Sequence, residues 1–81
     1  MHNMRGMNAI RYIRKNVFGV TQQEFAEIAG VQQSSVSRWE SGGAPTLEEM
    51  TRIREAANSR KLKRKWRDDL FFTVPTEGQA A

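Results

Sequence analysis

Residues 21–42 read TQQEFAEIAGVQQSSVSRWESG, and two helical patterns follow one another in them with a glycine between. Thr21 is a favourable N-cap residue, and Glu24, three residues later, completes a capping box that satisfies the first backbone N–H groups of a helix. Gly30 is suited to the left-handed conformation in which many helices end. The first pattern therefore predicts a helix from Gln22 to Ala29.

A second helix, from Gln33 to Glu40, is predicted after a short turn. At about 100° per residue, Val36, Trp39 and Glu40 lie on one side, which assigns Trp39 to the core as a structural residue. The opposite side carries short polar residues and one cation, namely Ser34, Ser37, Arg38 and Ser41. Two helices joined by a short turn that contains glycine form a helix-turn-helix unit, here at about residues 21–42.

On the N-terminal side, apolar residues recur at spacings of three and four and predict a helix from Met7 to Val17. The recurring residues are Met7, Ile10, Ile13 and Val17. Arg14 falls on the apolar side of this helix, whereas Tyr12 points away from it. A charged side chain that faces the core needs a partner, so Arg14 is a candidate for an ion pair.

On the C-terminal side, Thr46 and Glu49 form a second capping box, which predicts a helix that ends near Asn58. Its predicted buried stripe consists of Leu47, Met50, Ile53 and Ala57. Leu62, Trp66 and Leu70 follow one another at a spacing of four positions. This spacing favours a fifth helix from Ser59 to Leu70, with Trp66 in the core.

Together these patterns predict an all-α fold, a compact bundle of four to five helices in which helices 2 and 3 form the helix-turn-helix unit. The 81 residues are enough for one domain, which we expect at residues 7–74. We expect residues 1–6 to form a flexible arm and residues 75–81 a disordered tail. Residues 70–74 are the candidate dimerisation segment, as a hydrophobic patch or as a paired strand.

The net charge of +4 and the sequence pI of about 10.1 favour a polyanionic partner. Residues 60–67 read RKLKRKWR and concentrate the positive charge in one place. We expect Lys61, Lys63 and Lys65 to bind phosphates, which adds affinity but no sequence preference.

Several functional classes are not expected. The chain has no cysteine and a single histidine, whereas a zinc site needs three or four converging ligands, so we expect neither a metal nor a cofactor. No nucleophile has a plausible base, so we do not expect an enzyme. No apolar stretch approaches the ~18 residues that span a bilayer, and the N-terminus lacks the apolar core of a signal peptide. We therefore expect a cytoplasmic protein without a membrane partner, and nothing indicates a small-molecule ligand.

The order of residues in the helix-turn-helix unit resembles that of the phage repressor and Cro type, also called the xenobiotic-response-element family. The strings that carry the resemblance are Thr21 to Ala26, Ala29 to Val31 and Val36 to Glu40, followed by Gly42. The resemblance covers about residues 10–58 and implies a lambda-repressor-like fold that binds double-stranded DNA. Two features depart from it: Gln32 stands where Ser or Thr is usual, and the connection at residues 15–19 is about one residue longer.

Within the predicted recognition helix, at about residues 33–40, we expect Gln33 and Arg38 to be the principal base readers. Gln33 lies in the first turn, where recognition-helix side chains reach bases, and the resemblance implies a base contact at this position. Glutamine can bind adenine, and arginine guanine, through two hydrogen bonds each. Further candidates for base contacts are Ser34, Ser37 and Gln32, the last with the sugar-phosphate backbone as its other target.

Gln22 opens the first helix of the unit, where the positive helix terminus suits a phosphate. The resemblance implies a phosphate contact there and a side chain that braces the recognition helix. Ser41 and Gly43, in the loop after that helix, are further phosphate candidates. The resemblance also implies that Arg14 pairs with Glu40, as a structural contact that fixes the recognition helix against the first helix.

These observations favour a sequence-specific, double-stranded DNA-binding transcriptional regulator, and a repressor rather than an activator. Proteins with this unit usually bind as two-fold homodimers to half-sites about one helical turn, ~34 Å, apart. Two alternatives stay open at this point: a DNA-binding antitoxin of a toxin–antitoxin pair, and a protein-interaction module that has lost DNA binding.

Overall fold

The computed structural model describes residues 8–72 and residue 74. Met7, Thr73, the predicted arm and the predicted tail at residues 75–81 lie outside these residues. The regular elements are α1 (Ala9–Tyr12), a π-helical segment (Ile13–Phe18), α2 (Gln22–Ala29), α3 (Gln33–Glu40), α4 (Leu47–Asn58) and a 3-10 turn (Asp68–Phe71). The described residues contain helices and no strand, which confirms the predicted all-α fold.

The first helix is continuous from α1 into the π-helical segment, and it ends at Gly19, which is left-handed with a φ of +72°. The backbone N–H groups of Gly19 and Val20 both donate to the carbonyl oxygen of Arg14, at 2.8 and 3.1 Å. A π-helical turn holds an extra residue compared with an α-helical turn. The wider turn therefore ends the first helix with one residue more than an α-helical turn would hold, and Val17 and Phe18 within it stay buried.

The prediction that Tyr12 points away from the core was wrong, because this side chain is buried with 5% of its surface exposed. The angular argument assumed a helix that is covered on a single face. In the structure α1 contacts α3 and also the 3-10 turn near the C-terminus. A helix with neighbours on two sides buries more than one stripe.

The predicted bounds of α2 and α3 are confirmed. The capping box of Thr21 and Glu24 is present, and Gly30 ends α2 with a φ of +73°. Arg52 of α4 closes the same end, since its Nε donates to the carbonyl oxygen of Ala29 at 2.8 Å. No side chain caps α3 at Gln32, in keeping with the poor capping ability of glutamine.

The predicted capping box of α4 is also present, but the prediction that Leu47 belongs to its buried stripe was wrong. Leu47 is 80% exposed, whereas Ile53 is fully buried. Each three-residue step along an α-helix falls about 60° short of a full turn. Two such steps, from Leu47 to Met50 to Ile53, carry Leu47 about 120° away from the core direction.

The fifth helix predicted from Ser59 to Leu70 is absent, and only the short 3-10 turn forms near its end. The segment of residues 60–67, called the basic segment below, crosses the end of the first helix. There the N–H of Lys63 donates to the carbonyl oxygen of Val17 at 2.8 Å, and not to a residue one turn earlier in its own segment. In a helix, Lys61 and Lys65 would be like charges four residues apart, which is unfavourable.

The strand considered for residues 71–74 is likewise absent from the described part of this stretch, where Phe71 ends the 3-10 turn. Leu70 is buried in the protein's own core with 3% exposed, so it is not available to a partner. Trp66 is half-buried and packs edge-to-face on Phe71, with ring centroids 5.3 Å apart. The apolar residues predicted for a fifth helix thus reach the core from an irregular backbone.

The core lies between the first helix, α2, α3 and α4. Its largest fully buried side chains are Trp39, Phe25, Ile13, Ile53, Val17 and Val36, which include a member from each of these helices. The two members from α3, Val36 and Trp39, occupy the same side of that helix. They hold α3 against the rest of the fold, so the opposite side of α3 is left for solvent.

Replacing Gly30 by alanine should lower the free energy of unfolding by about 1–2 kcal/mol, because a residue with a Cβ is strained in the left-handed conformation. The new Cβ would also lie 3.1 Å from Nε of Arg52, which is anchored on Ala29. Urea denaturation measures the change. Gly30→Asn is the matched control and should lose less, since asparagine tolerates this conformation. Unchanged stability of the alanine variant would contradict the strain argument.

Candidate nucleic-acid interface

The side of α3 that faces away from the core is polar and open to solvent. Every residue predicted to read bases is exposed, namely Gln32, Gln33, Ser34, Ser37 and Arg38. Val36, which lies between them in the sequence, is fully buried and points to the core instead. The structure thus combines a fixed helix axis with a row of accessible hydrogen-bonding groups.

Gln33 is tied to α2 by a chain of side-chain hydrogen bonds. Its Nε2 donates to Oε1 of Gln22 at 3.2 Å, and Nε2 of Gln22 donates to Oε1 of Glu40 at 3.1 Å. Besides a phosphate contact, the resemblance implied that Gln22 braces the recognition helix. In the structure Gln22 contacts both Gln33 and Glu40 of that helix.

Glu40 is the centre of this arrangement because it also receives Arg14 from the first helix. Nε of Arg14 lies 2.6 Å from Oε2 of Glu40, and Nη2 lies 3.2 Å from Oε1. Nη1 of Arg14 donates to the carbonyl oxygen of Val20 at 3.0 Å. The side chains are only 12% and 4% exposed, respectively, so the pair is largely removed from water and is held by several hydrogen bonds.

Asn8 makes a further contact to α3 that sequence reasoning missed. Its Oδ1 accepts the N–H of Arg11 and caps α1, while its Nδ2 donates to the carbonyl oxygen of Trp39 at 3.0 Å. One side chain therefore joins the start of the first helix to the end of α3. Its position before the periodic apolar stretch is a recognisable N-cap signal, but its contact with Trp39 depends on the packing of distant helices.

The start of α2 offers donors for an anion. Its capping box uses the N–H groups of Thr21 and Glu24, which leaves those of Gln22 and Gln23 outside the box. Both belong to the first turn, where the helix terminus is positive. Gln22 is half-buried, so one side of it faces solvent.

The loop after α3 differs from expectation at Gly43. The N–H of Gly43 already donates to the carbonyl oxygen of Arg38 at 2.9 Å, and glycine has no other donor. The structure therefore offers no basis for the predicted phosphate contact at this residue. Ser41 is exposed and keeps its hydroxyl group at the surface, although its N–H also closes α3.

The three lysines of the basic segment are all exposed. Lys63 stands closest to the helix-turn-helix unit, because its side chain lies over Gly19. A Cβ added to Gly19 would be 2.6 Å from Cε of Lys63. Gly19 lies two residues before Thr21, the N-cap of α2, so the Lys63 ammonium group is near the N-terminus of α2. Lys61 and Lys65 have no comparable contact that fixes their direction.

The family assignment agrees with this geometry: a model of the helix-turn-helix family matches residues 10–62, more than half of the chain. The chain belongs to the helix-turn-helix family of the Cro and C1 repressor type. This family consists of DNA-binding transcriptional regulators, and this protein is a DNA-binding transcriptional regulator. No curated protein and no solved structure gives a significant match.

Two other kinds of site are absent from residues 8–72 and 74. Within them, no three or more His, Cys, Asp or Glu side chains converge so that they could hold a metal ion. None of the helices in this part of the chain is long and apolar enough to cross a membrane.

Glu40→Ala should lower the free energy of unfolding by up to about 3–5 kcal/mol, because it leaves Arg14, whose side chain is only 12% exposed, without its counter-charge. Thermal and urea unfolding measure the change. Glu48→Ala is the matched control: Glu48 also pairs with an arginine, Arg52, at 3.3 Å, but its side chain is 83% exposed. That variant should lose less than about 1 kcal/mol. Similar stabilities for the two variants would show that the Arg14 pair is not a structural anchor.

Proposed function

We propose that this regulator binds a specific double-stranded DNA sequence with α3 in the major groove and thereby represses transcription. The supporting observation is the exposed polar row on α3, with Ser34, Ser37 and Arg38 directed away from the core. Short polar side chains and one long cation allow a helix to enter a groove and to donate to base edges.

The hydrogen-bonding capacity of Gln33 is compatible with base reading. Its amide group has two N–H hydrogens and one oxygen, and only one hydrogen is used on Gln22. One donor and one acceptor remain, which are the two groups that adenine requires in the major groove. The bond to Gln22 then holds the amide plane in place before DNA arrives, which reduces the entropy lost on binding.

Gln22 also has hydrogen-bonding groups that its contacts within the protein do not use. It accepts from Gln33 and donates one amide hydrogen to Glu40, which leaves its second amide hydrogen and its backbone N–H outside these contacts. Both suit a phosphate at the start of α2. Further phosphate contacts are proposed for the exposed groups of Ser41, Lys61, Lys63 and Lys65, and Gly43 is omitted.

We further propose that the protein acts as a repressor and binds DNA as two copies. Occupation of a promoter is sufficient to block transcription, whereas activation requires a further surface that contacts the transcription machinery. A single eight-residue recognition helix reads only a few base pairs, so we propose that two copies bind adjacent half-sites of a two-fold symmetric operator. A cytoplasmic location follows from this role.

Selection from a pool of random duplexes, followed by gel-shift titration at physiological ionic strength, tests the proposal. One preferred sequence should emerge for the parent protein. Arg38→Ala should relax the preference at one base position by about 1–3 kcal/mol. Arg67→Ala removes one exposed positive charge outside α3 and should leave the preference unchanged. Equal affinity of the parent for all duplexes would overturn the proposal.

Replacing Lys61, Lys63 and Lys65 together by glutamine should weaken binding to preferred and random duplexes by the same factor. The slope of log K against log salt concentration should become shallower by about 0.9 for each phosphate that is no longer neutralised. Titrations at several salt concentrations measure this slope. Lys15→Gln changes the remaining lysine and is the control for the removal of charge. A triple variant with an unchanged slope would show that the basic segment does not reach the DNA.

A further inference from the structure

The basic segment crosses the end of the first helix and is held there by contacts with one aromatic ring. The guanidinium carbon of Arg60 lies 5.7 Å from the centre of the Phe18 ring, and the Trp66 ring packs edge-to-face on the same ring at 6.5 Å. Between these two contacts, the N–H of Lys63 donates to the carbonyl oxygen of Val17 at 2.8 Å. The middle of the basic segment is therefore fixed to the first helix.

Residues 63–72, called the strap below, follow the residues that the family model matches. Trp66 is central to the strap, since its ring also packs on Phe71 and its Nε1 donates to Oδ1 of Asp68 at 2.9 Å. Oδ2 of Asp68 lies 3.6 Å from Nη1 of Arg54 in α4. The strap is therefore held by both the first helix and α4, although most of its backbone is irregular.

The side chain of Lys63 has a defined direction as a result. Its methylene groups lie over the backbone of Gly19, where an added Cβ would be 2.6 Å from Cε and 2.9 Å from Cδ. Among the residues that the structure describes, no carboxylate pairs with Lys63, whereas Arg67 pairs with Asp69 at 3.1 Å. Lys63 thus presents a positive charge that is both oriented and available to an anion.

We infer that Lys63 is the principal phosphate-binding residue of the basic segment, and that Trp66 is the positioning residue that orients it. The inference rests on the proposed function, because the phosphate belongs to the duplex that α3 reads. Gln22, the first residue of α2, is hydrogen-bonded to Gln33, the first residue of α3. A duplex along Gln33 therefore passes the start of α2, where the ammonium group of Lys63 lies.

The fixed stem of Lys63 distinguishes it from Lys61 and Lys65. A lysine loses side-chain entropy when a phosphate immobilises it, and this loss is smaller where packing already restricts the stem. No comparable contact fixes Lys61 or Lys65, so each should contribute less, mainly through its effect on the net charge of the surface.

Single glutamine variants of the full chain test the role of Lys63, since each removes one positive charge. Lys63→Gln should make the slope of log K against log salt concentration shallower by about 0.9, which corresponds to about fivefold weaker binding at about 0.15 M salt. Lys65→Gln is the variant matched in charge and should weaken binding less than about twofold. Fluorescence anisotropy of labelled duplexes of preferred and random sequence measures both quantities, and Lys63→Gln should affect both duplexes alike.

Trp66→Ala tests the positioning role, because it leaves every charge in place. It should make the slope shallower by the same amount as Lys63→Gln, and the double variant should lose no more than either single variant. Trp66→Phe keeps an aromatic ring against Phe18 and should restore the parental slope. Lower stability alone would reduce the folded fraction, which a thermal melt measures, without changing the salt slope.

Equal slopes for Lys63→Gln and Lys65→Gln would overturn the inference, and so would a parental slope for folded Trp66→Ala. If Trp66→Ala does not fold, the comparison of the two lysine variants decides. The proposed function fails separately. A parent that binds all duplexes equally, but has a slope that falls only in Lys63→Gln, would retain the role of the strap without sequence-specific reading. A parent with one preferred duplex and equivalent lysines would retain the proposed function alone.

Discussion

The carboxylate of Glu40 is shared by three helices, and the position of α3 depends on it. Arg14 reaches it from the first helix, Gln22 from α2, and Glu40 itself ends α3. Val36 and Trp39 supply apolar contact, which favours burial but has little directional preference. Hydrogen bonds with defined geometry add direction, and they continue through Gln22 to Gln33 at the surface. This network, which runs from the partly buried Arg14 and Glu40 to the surface, thus contacts one of the proposed base-reading side chains.

The widened turn at the end of the first helix places Arg14 where it can bind both Glu40 and the chain before α2. In the π-helical segment the carbonyl oxygen of Arg14 accepts from both Gly19 and Val20. Arg14 also binds the carbonyl oxygen of Val20, so the same residue fixes the chain just before α2. The side chain of Lys63 packs over Gly19, so its positive charge lies near the start of α2.

The surface of this 81-residue protein has regions that differ in polarity and charge. The exposed side of α3 is polar, the basic segment is strongly positive, and Leu47 and Phe72 leave apolar area exposed. The basic segment remains irregular because its backbone pairs with the end of the first helix, so its lysines are not confined to one helical stripe. The 3-10 turn that follows supplies Leu70 to the core and leaves Phe72 exposed.

Local signals in the sequence determined α2, α3, the start of α4 and the family. Capping boxes, the glycine that ends α2 and the angles around α3 all depend on residues only a few positions apart. They can therefore be read from the sequence without knowing the fold. Tertiary structure alone decided the burial of Tyr12 and the absence of the fifth helix. Each depends on which distant segment covers a surface or accepts a backbone N–H, and an apolar spacing of three or four does not contain that information.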